Sequence, residues 1–323
     1  MPKKHFPPSP NHAGGAAQNR GILELDRFSA ESLHQWQQLS NDLDRLQAIL
    51  FFGLEPARRA LRTELLEALQ KQQGTGVDLT SWVRMVPYQY SNEPLSCAGS
   101  LHGYGGRFNA GIDLDARTLD PWPALYLASD YPTAFREKFQ IEHDGKIDGL
   151  SAQELALEQG ASHATVFLRG KVTKVFDMTH HAPLDEVGRI LARIKMPEEA
   201  RRYMKKLRLP PKAMFMVKSG KQIHDMVVEQ NWRVLPAQFG LPSQSHVMAE
   251  LIRAAGFEGI LYQSTKGTGQ CLAIFPETMD GGSFVELSDK PPLGVQYARL
   301  DGDTAEQLAG WDTLPTNYRH RLA

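Results

Sequence analysis

The stretch His-Gly-Tyr-Gly-Gly-Arg-Phe-Asn-Ala-Gly at 102–111 gathers an unusual set of residues into ten positions. Glycines at 103, 105, 106 and 111 permit positive φ and let backbone approach a ligand closely. Arg107 and Asn109 in such a loop offer several donors to phosphate or carboxylate oxygens. The same residues equally suit a tight multi-turn loop whose arginine closes a salt bridge. A second group lies in ALYLASDYPTAFREKF, 124–139. Tyr126 falls in a strand-like segment and Glu137 eleven residues later on a helix, with Asp130 as its N-cap and Pro132 in its first turn. That arrangement sends a phenol and a carboxylate toward one end of a strand–helix unit. Standing alone, Glu137 beside Arg136 and Lys138 reads more readily as a solvated helix residue. Ser264 is the third candidate, ending GILYQS and opening a Gly-rich turn before CLAIF at 271–275. No G-x-S-x-G elbow surrounds it, which argues against a Ser-His-Asp hydrolase and leaves a plain turn residue as the alternative.

The elements that must position these residues follow from periodicity. Leu33, Trp36, Leu39, Leu43, Leu46 and Leu50 recur at spacings of three and four, the stripe of an amphipathic helix with Ser29 as N-cap. A second helix is predicted from Pro56, carrying Leu61, Leu65, Leu66 and Leu69, and ending at the Gln-Gln-Gly-Thr-Gly stretch of 72–76. The pair reads as a helical hairpin, either a layer on the main domain or a partner-binding module. Beyond it, short apolar runs rich in β-branched and aromatic residues alternate with turns: WVRMV at 82–86, 124–129, 164–170, 174–178, 259–264 and 271–275. Helical patterns lie between them at 131–142, 184–195, 197–207 and 243–255. An α+β domain follows. The expected division is a flexible tail at 1–22, a helical N-terminal region at 23–78, a main domain at 79–285 and a C-terminal extension at 286–323.

Charge and composition exclude whole classes. Thirty-six basic residues oppose 37 acidic ones, a net charge of −1, so bulk attraction to nucleic acid or anionic membrane has no source. The basic run RRYMKKLRLPPK at 201–212 reads as a solvated helix face. Two cysteines, Cys97 and Cys271, exclude a disulfide framework and a multi-cysteine metal site. His180, His181 and His246 lack zinc-ligand spacing and read as surface or core histidines, so no metal is expected. The start of the chain lacks the apolar stretch of a secretory signal, and no run is long enough to cross a membrane; a cytoplasmic protein is expected.

Taken together, the three groups resemble the RES family of bacterial toxin–antitoxin pairs, named for an Arg, a Glu and a Ser. The matching pieces are Arg84 in WVRMV, the GGRFN loop with Arg107, YLAS followed by Tyr126-to-Glu137 spacing of eleven, and G-I-L-Y-x-S ending at Ser264. The resemblance spans about 82–277. It departs in a longer stretch between GGRFN and YLAS and in a long middle section, 145–245.

The resemblance implies an ADP-ribosyltransferase-like mixed sheet core with flanking helices, preceded here by the helical hairpin. It implies NAD+ as a substrate consumed at its nicotinamide–ribose bond, with no resident cofactor. On that reading Glu137, Arg84 and Ser264 are catalytic, and Arg84, Arg107, Asn109, Tyr126 and Ser264 bind the dinucleotide. Cleavage passes through an oxocarbenium-like state that Glu137 can stabilise, while the arginines neutralise the pyrophosphate. Tyr126 presents a flat face to the nicotinamide, and Ser264 either bonds the ribose or the nicotinamide or holds Glu137. The acceptor, water or phosphate in a glycohydrolase or phosphorylase and a protein side chain in a mono-ADP-ribosyltransferase, stays open. A reading of another class is a non-catalytic partner-binding protein acting through the N-terminal helices. The expected partners are NAD+ and a cognate antitoxin protein, with homo-oligomerisation left open.

Overall fold

The computed structural model describes residues 30–141, 162–210, 214–291 and 293–310. The expected tail at 1–22, the Ser29 cap, the end of the C-terminal extension from 311 and the residues at 142–161 lie outside the described residues. The helices are α1 (Ala30–Phe52), α2 (Glu55–Gln70), α3 (Tyr131–Phe139), α4 (Asp185–Leu191), α5 (Glu198–Lys206), α6 (Gly220–His224), α7 (Val234–Phe239), α8 (Gln244–Ala254) and α9 (Ala305–Ala309). The strands are β1 (Thr75–Pro87), β2 (Gly105–Gly106), β3 (Asn109–Ala110), β4 (Leu125–Ala128), β5 (His163–Asp177), β6 (Gly259–Gln263), β7 (Gln270–Ile274), β8 (Phe284–Leu287) and β9 (Arg299–Leu300). Among the described residues no helix is long and apolar enough to cross a membrane.

The chain divides into two compact units, one of residues 1–54 and 196–215, the other of 55–195 and 216–323. In the first, Leu46 and Ile49 of α1 pack against Ala200 and Met204 of α5. Lys206 Nζ reaches Asp42 Oδ1 at 2.7 Å and Arg201 pairs with Glu198 at 2.8 Å, so the basic run is in part an ion-paired, solvated helix face. Trp36 and Leu39 stay exposed; the buried part of the α1 stripe is its C-terminal half. The two N-terminal helices fall in different units. The partner of α1 comes from 150 residues downstream, while the apolar face of α2 belongs to the second unit.

In that second unit Leu65, Ala68 and Leu69 of α2 join the core on one face of the sheet, and Arg62 grips Glu250 of α8 with two bonds of 2.8 and 2.6 Å. The seven-stranded sheet runs β1-β4-β7-β6-β5-β8-β9, and β1 pairs with β5 as well as β4, so the sheet curls back on itself. The segments 164–170 and 174–178, expected as two strands, are one strand, β5. It passes through Gly170 at φ 151°, where a Cβ would strike the Phe284 carbonyl of β8; only glycine fits. Strand alternation sends Val83, Ala128 and Ile260 to the face covered by α2, α4 and α8, and Trp82, Leu127, Leu168 and Leu272 to the other.

Glu258, just before β6, fastens this sheet from within. It is 1% exposed, and its Oε2 accepts from the N–H groups of Thr173 (2.9 Å) and Lys174 (2.8 Å) and from the Ser283 hydroxyl (2.8 Å), while Oε1 accepts from Asp280 N–H (2.8 Å). Removing the carboxylate strands several buried donors at about 1–3 kcal/mol each. Glu258→Ala is expected to lower stability by at least about 3 kcal/mol with an unchanged denaturant slope. A urea midpoint near wild type would show that this clip does not hold the strands.

Candidate functional site

Helix α3 starts where Asp130 Oδ1 accepts from Thr133 N–H at 2.8 Å. Burial works to raise the Asp130 carboxyl, but hydrogen bonds from Thr133 and Ser129 outweigh it and hold the group below its usual range. The two hydroxyls that donate to Asp130 also accept from the β6–β7 turn: Gln270 N–H reaches Ser129 Oγ at 3.0 Å and Gly269 N–H reaches Thr133 Oγ1 at 3.1 Å. A Cβ on Gly269 would sit 2.5 Å from Thr133 Oγ1, so the turn can lie on the helix start only as glycine.

This docking brings Ser264 to Glu137. The Ser264 oxygen accepts from the N–H groups of Lys266 (3.1 Å) and Gly267 (2.9 Å), and its hydroxyl donates to Glu137 Oε1 at 2.6 Å. With two backbone donors on its oxygen, the hydroxyl proton is directed at the carboxylate. Ser264 is buried and Glu137 half-buried. The residue after Phe139, Gln140, terminates α3 in the left-handed region at φ 56° and donates to the Glu137 carbonyl at 2.5 Å. Below them lie Tyr262 and Cys271, neighbours on β6 and β7. Burial first, then the Glu137 charge, raises the Cys271 thiol; burial and then Cys271 and Glu137 raise the Tyr262 phenol. Both stay protonated at neutral pH.

The Gly-rich loop is a miniature hairpin of β2 and β3, fixed from several sides. Asn109 is fully buried. Its Oδ1 accepts from Gly106 N–H (2.8 Å) and the Tyr126 hydroxyl (2.9 Å), and its Nδ2 donates to the carbonyls of Ser100 (2.7 Å) and Trp122 (3.0 Å). The Tyr126 oxygen in turn accepts from Phe108 N–H at 2.9 Å. A Cβ on Gly106 would lie 2.5 Å from that oxygen, so the loop rests directly on Tyr126. From the other side His246, on the first turn of α8, bonds the Gly106 carbonyl through Nε2 at 2.7 Å and accepts from Ser243 N–H through Nδ1 at 3.3 Å.

The structure therefore brings Glu137, Ser264, Tyr126 and the 105–110 loop together, with Asn109 buried inside the loop and Arg84 apart from that group. Asn109 has its side-chain oxygen and nitrogen engaged by protein and is closed off from solvent, so it positions the loop. Arg84 lies on the opposite face of the sheet: its cross-strand partner Val166 packs with the second core, whereas Val83 shares the first core with Ala128. Arg84 Nη2 donates to the Ser96 carbonyl at 2.7 Å and Nη1 is buried without a hydrogen-bond partner among the described residues, which makes it an anchor of the 95–97 segment. Arg107 does reach the site. Its Nη1 donates to the carbonyls of Val227 (3.2 Å) and Gln230 (3.0 Å), and its charge is felt at Tyr126, Tyr262 and Cys271.

Tyr262, Cys271, Gln140 and His246 carry no motif of their own. The one signal was Ser243-x-x-His246, whose capping spacing marks a helix start. Elsewhere, His224, Asp225 and Glu229 bring possible metal-ligand atoms within 4.8 Å of one another. His224 Nε2 is already bonded to the Met178 carbonyl and Asp225 to Lys221, so that group is tied into the fold. His246, by contrast, is linked to the site through its charge state. Burial pushes its pKa down to about 4, against the Gly106 bond that works to raise it. A folded pKa below the ordinary ~6.5 means stability is complete above that value and is lost as pH falls toward 4. Wild type is expected to lose about 2 kcal/mol between pH 7 and 5 through this group, and His246→Gln to lack that component. Parallel urea midpoints for the two proteins across this range would refute it.

Comparison with known proteins completes the picture. The family model described as the RES domain matches residues 81–296. No curated protein matches the chain. Among solved structures, the crystal structure of the M. tuberculosis MbcT-MbcA toxin-antitoxin complex is similar at 14% sequence identity and a TM-score of 0.39, over 76% of this chain and 96% of that one. Likeness at that level carries no conclusion about function. The family match covers most of the chain and takes in the loop, Tyr126, Glu137 and Ser264: the protein belongs to the RES domain family.

Proposed function

We propose that the protein is an NAD+-degrading enzyme of the toxin type that cleaves the nicotinamide–ribose bond with water or phosphate as acceptor. The observation that carries this reading is the 2.6 Å bond that aims the Ser264 hydroxyl at Glu137. It fixes one carboxylate oxygen and leaves the other available to a positively charged ribose carbon as the nicotinamide departs. In this reading Ser264 is the positioning residue for Glu137, and Arg107 faces the pyrophosphate. Its Nη1 is held by two backbone carbonyls, while Nε and Nη2 make no hydrogen bond among the described residues. Tyr126 offers an aromatic face, its hydroxyl being engaged by the loop. An ADP-ribosyltransferase-like arrangement of the sheet, a cytoplasmic location and an antitoxin that restrains the activity belong to the same reading. RES membership supports them.

Purified protein is expected to release nicotinamide from NAD+. Glu137→Ala is expected to lose about 100-fold or more in kcat, the scale of removing a charge-stabilising group, and Ser264→Ala about 10-fold with KM little changed. Free ADP-ribose identifies water as acceptor, a phosphorylated product identifies phosphate, and a labelled band in extract identifies protein transfer. NAD+ left intact by wild type in buffer, in phosphate and in extract would sink the proposal.

A further inference from the structure

Arg107 takes its direction from the successive peptide groups around it, and each of these has its own partner. The Gly106 carbonyl, just before it, is held by His246 Nε2 at 2.7 Å. The Phe108 N–H, just after it, donates to the Tyr126 oxygen at 2.9 Å. The Phe108 carbonyl accepts from Trp122 Nε1 at 3.2 Å. Trp122 is fully buried and also joined to the hairpin through its backbone. Its N–H donates to the Ala110 carbonyl at 3.2 Å, and its carbonyl accepts from Asn109 Nδ2 at 3.0 Å.

The indole is braced by helix α8. Arg253, in the last turn, lays its guanidinium over the Trp122 ring, 4.9 Å from the centroid. His246 and Arg253 stand seven residues apart, so they share one face of the helix at a separation of about 10 Å along its axis. One helix therefore reaches the loop on both sides of Arg107. Arg253 is fixed in turn by Glu277, in the turn after β7, where Nη1 donates to Oε1 at 2.8 Å.

This ion pair is poorly suited to stabilising the fold. Its side chains are only 16% and 18% exposed, and Arg253 Nε and Glu277 Oε2 are buried with no hydrogen-bond partner among the described residues. Desolvation of such a pair cancels much of its attraction, and apolar replacements of similar volume often leave stability unchanged or higher. A cation over the indole supplies what an apolar side chain cannot. It fixes the plane of the ring and strengthens its N–H as a donor to the Phe108 carbonyl.

We propose that Arg253 is a positioning residue for Arg107, holding Trp122 against the Phe108 carbonyl so that the loop arginine meets the pyrophosphate already oriented, with Glu277 as its anchor. The inference rests on the NAD+ reading of the site and names the residues that set its phosphate affinity from behind the loop.

The test uses the full chain as wild type, as the double variant Arg253→Met with Glu277→Leu, and as Trp122→Phe, which keeps a ring but removes the N–H. The double variant is expected to keep a urea midpoint at or above wild type. Its amide hydrogen exchange over 105–110 should be about tenfold faster, the size of one lost hydrogen bond. By calorimetry it should bind ADP about fivefold more weakly, with adenosine unchanged. In nicotinamide release it should raise KM for NAD+ with kcat little altered, whereas a pair that only held the fold would lower the midpoint and kcat at constant KM. Trp122→Phe should speed loop exchange with Arg253 and Glu277 still in place. A midpoint below wild type in the double variant, loop exchange within about twofold of wild type in either variant, an equal loss for adenosine, or no ADP binding by wild type would each overturn the assignment. If wild type binds ADP but leaves NAD+ intact, the cleavage reading fails while loop exchange and ADP affinity still judge Arg253.

Discussion

Everything proposed for this protein depends on a serine hydroxyl pointing the right way. Ser264 lies 127 positions from Glu137 in sequence, and the bond between them spans a β-hairpin turn and a helix. Two turn N–H groups occupy its oxygen, which directs the proton at the carboxylate. The turn is in turn seated on the start of α3 by Ser129 and Thr133, each of which donates to Asp130 and accepts from the turn. A helix cap and the orientation of the Ser264 hydroxyl toward Glu137 are therefore one hydrogen-bond network. Such a network is stiff because each member satisfies the next, and losing one leaves buried groups without partners.

A second network of the same kind fixes the Gly-rich loop. Asn109 joins Gly106, Tyr126, Ser100 and Trp122, and His246 closes the loop from the far side. The glycines matter here for contact as well as for conformation: at Gly106 the backbone must approach the Tyr126 oxygen more closely than any side chain allows. The loop is thus rigid before any ligand arrives, which is what a site needs when it must stabilise charge without reorganising. Arg107, half-buried, projects from this rigid loop. Its guanidinium is steered by two backbone carbonyls at the end of the π-helical turn, where the helix carries partial negative charge.

The sequence pattern made the local pieces legible. The segments 124–129, 259–264 and 271–275 are strands within a residue or two, and the helices at 131–142, 197–207 and 243–255 exist with shortened ends. Pairings between distant segments were not legible. Nothing in 164–178 distinguishes two strands from one strand kinked at Gly170, since the difference lies in whether β8 runs alongside. Nor does the α1 stripe name its partner. Periodicity says that a face is buried, while what buries it is decided by packing across the whole chain.

The site divides along the same line. Residue types and spacing made Arg107, Tyr126, Glu137 and Ser264 candidates, and the resemblance to the RES family joined them into one set because they occur in that family's order. Tertiary structure alone decided what each one touches. Asn109 looked like a ligand donor and is a buried brace. Arg84 looked like its companion and sits across the sheet, since a strand sends successive side chains to opposite faces and register sets which face is which. His246 and Arg253 carried no motif and acquire their places from contacts with residues more than ninety positions away. A sequence determines which groups are present and which local element holds them. Their partners, burial and direction are properties of the folded arrangement, because hydrogen bonds and desolvation depend on neighbours brought together only by the fold.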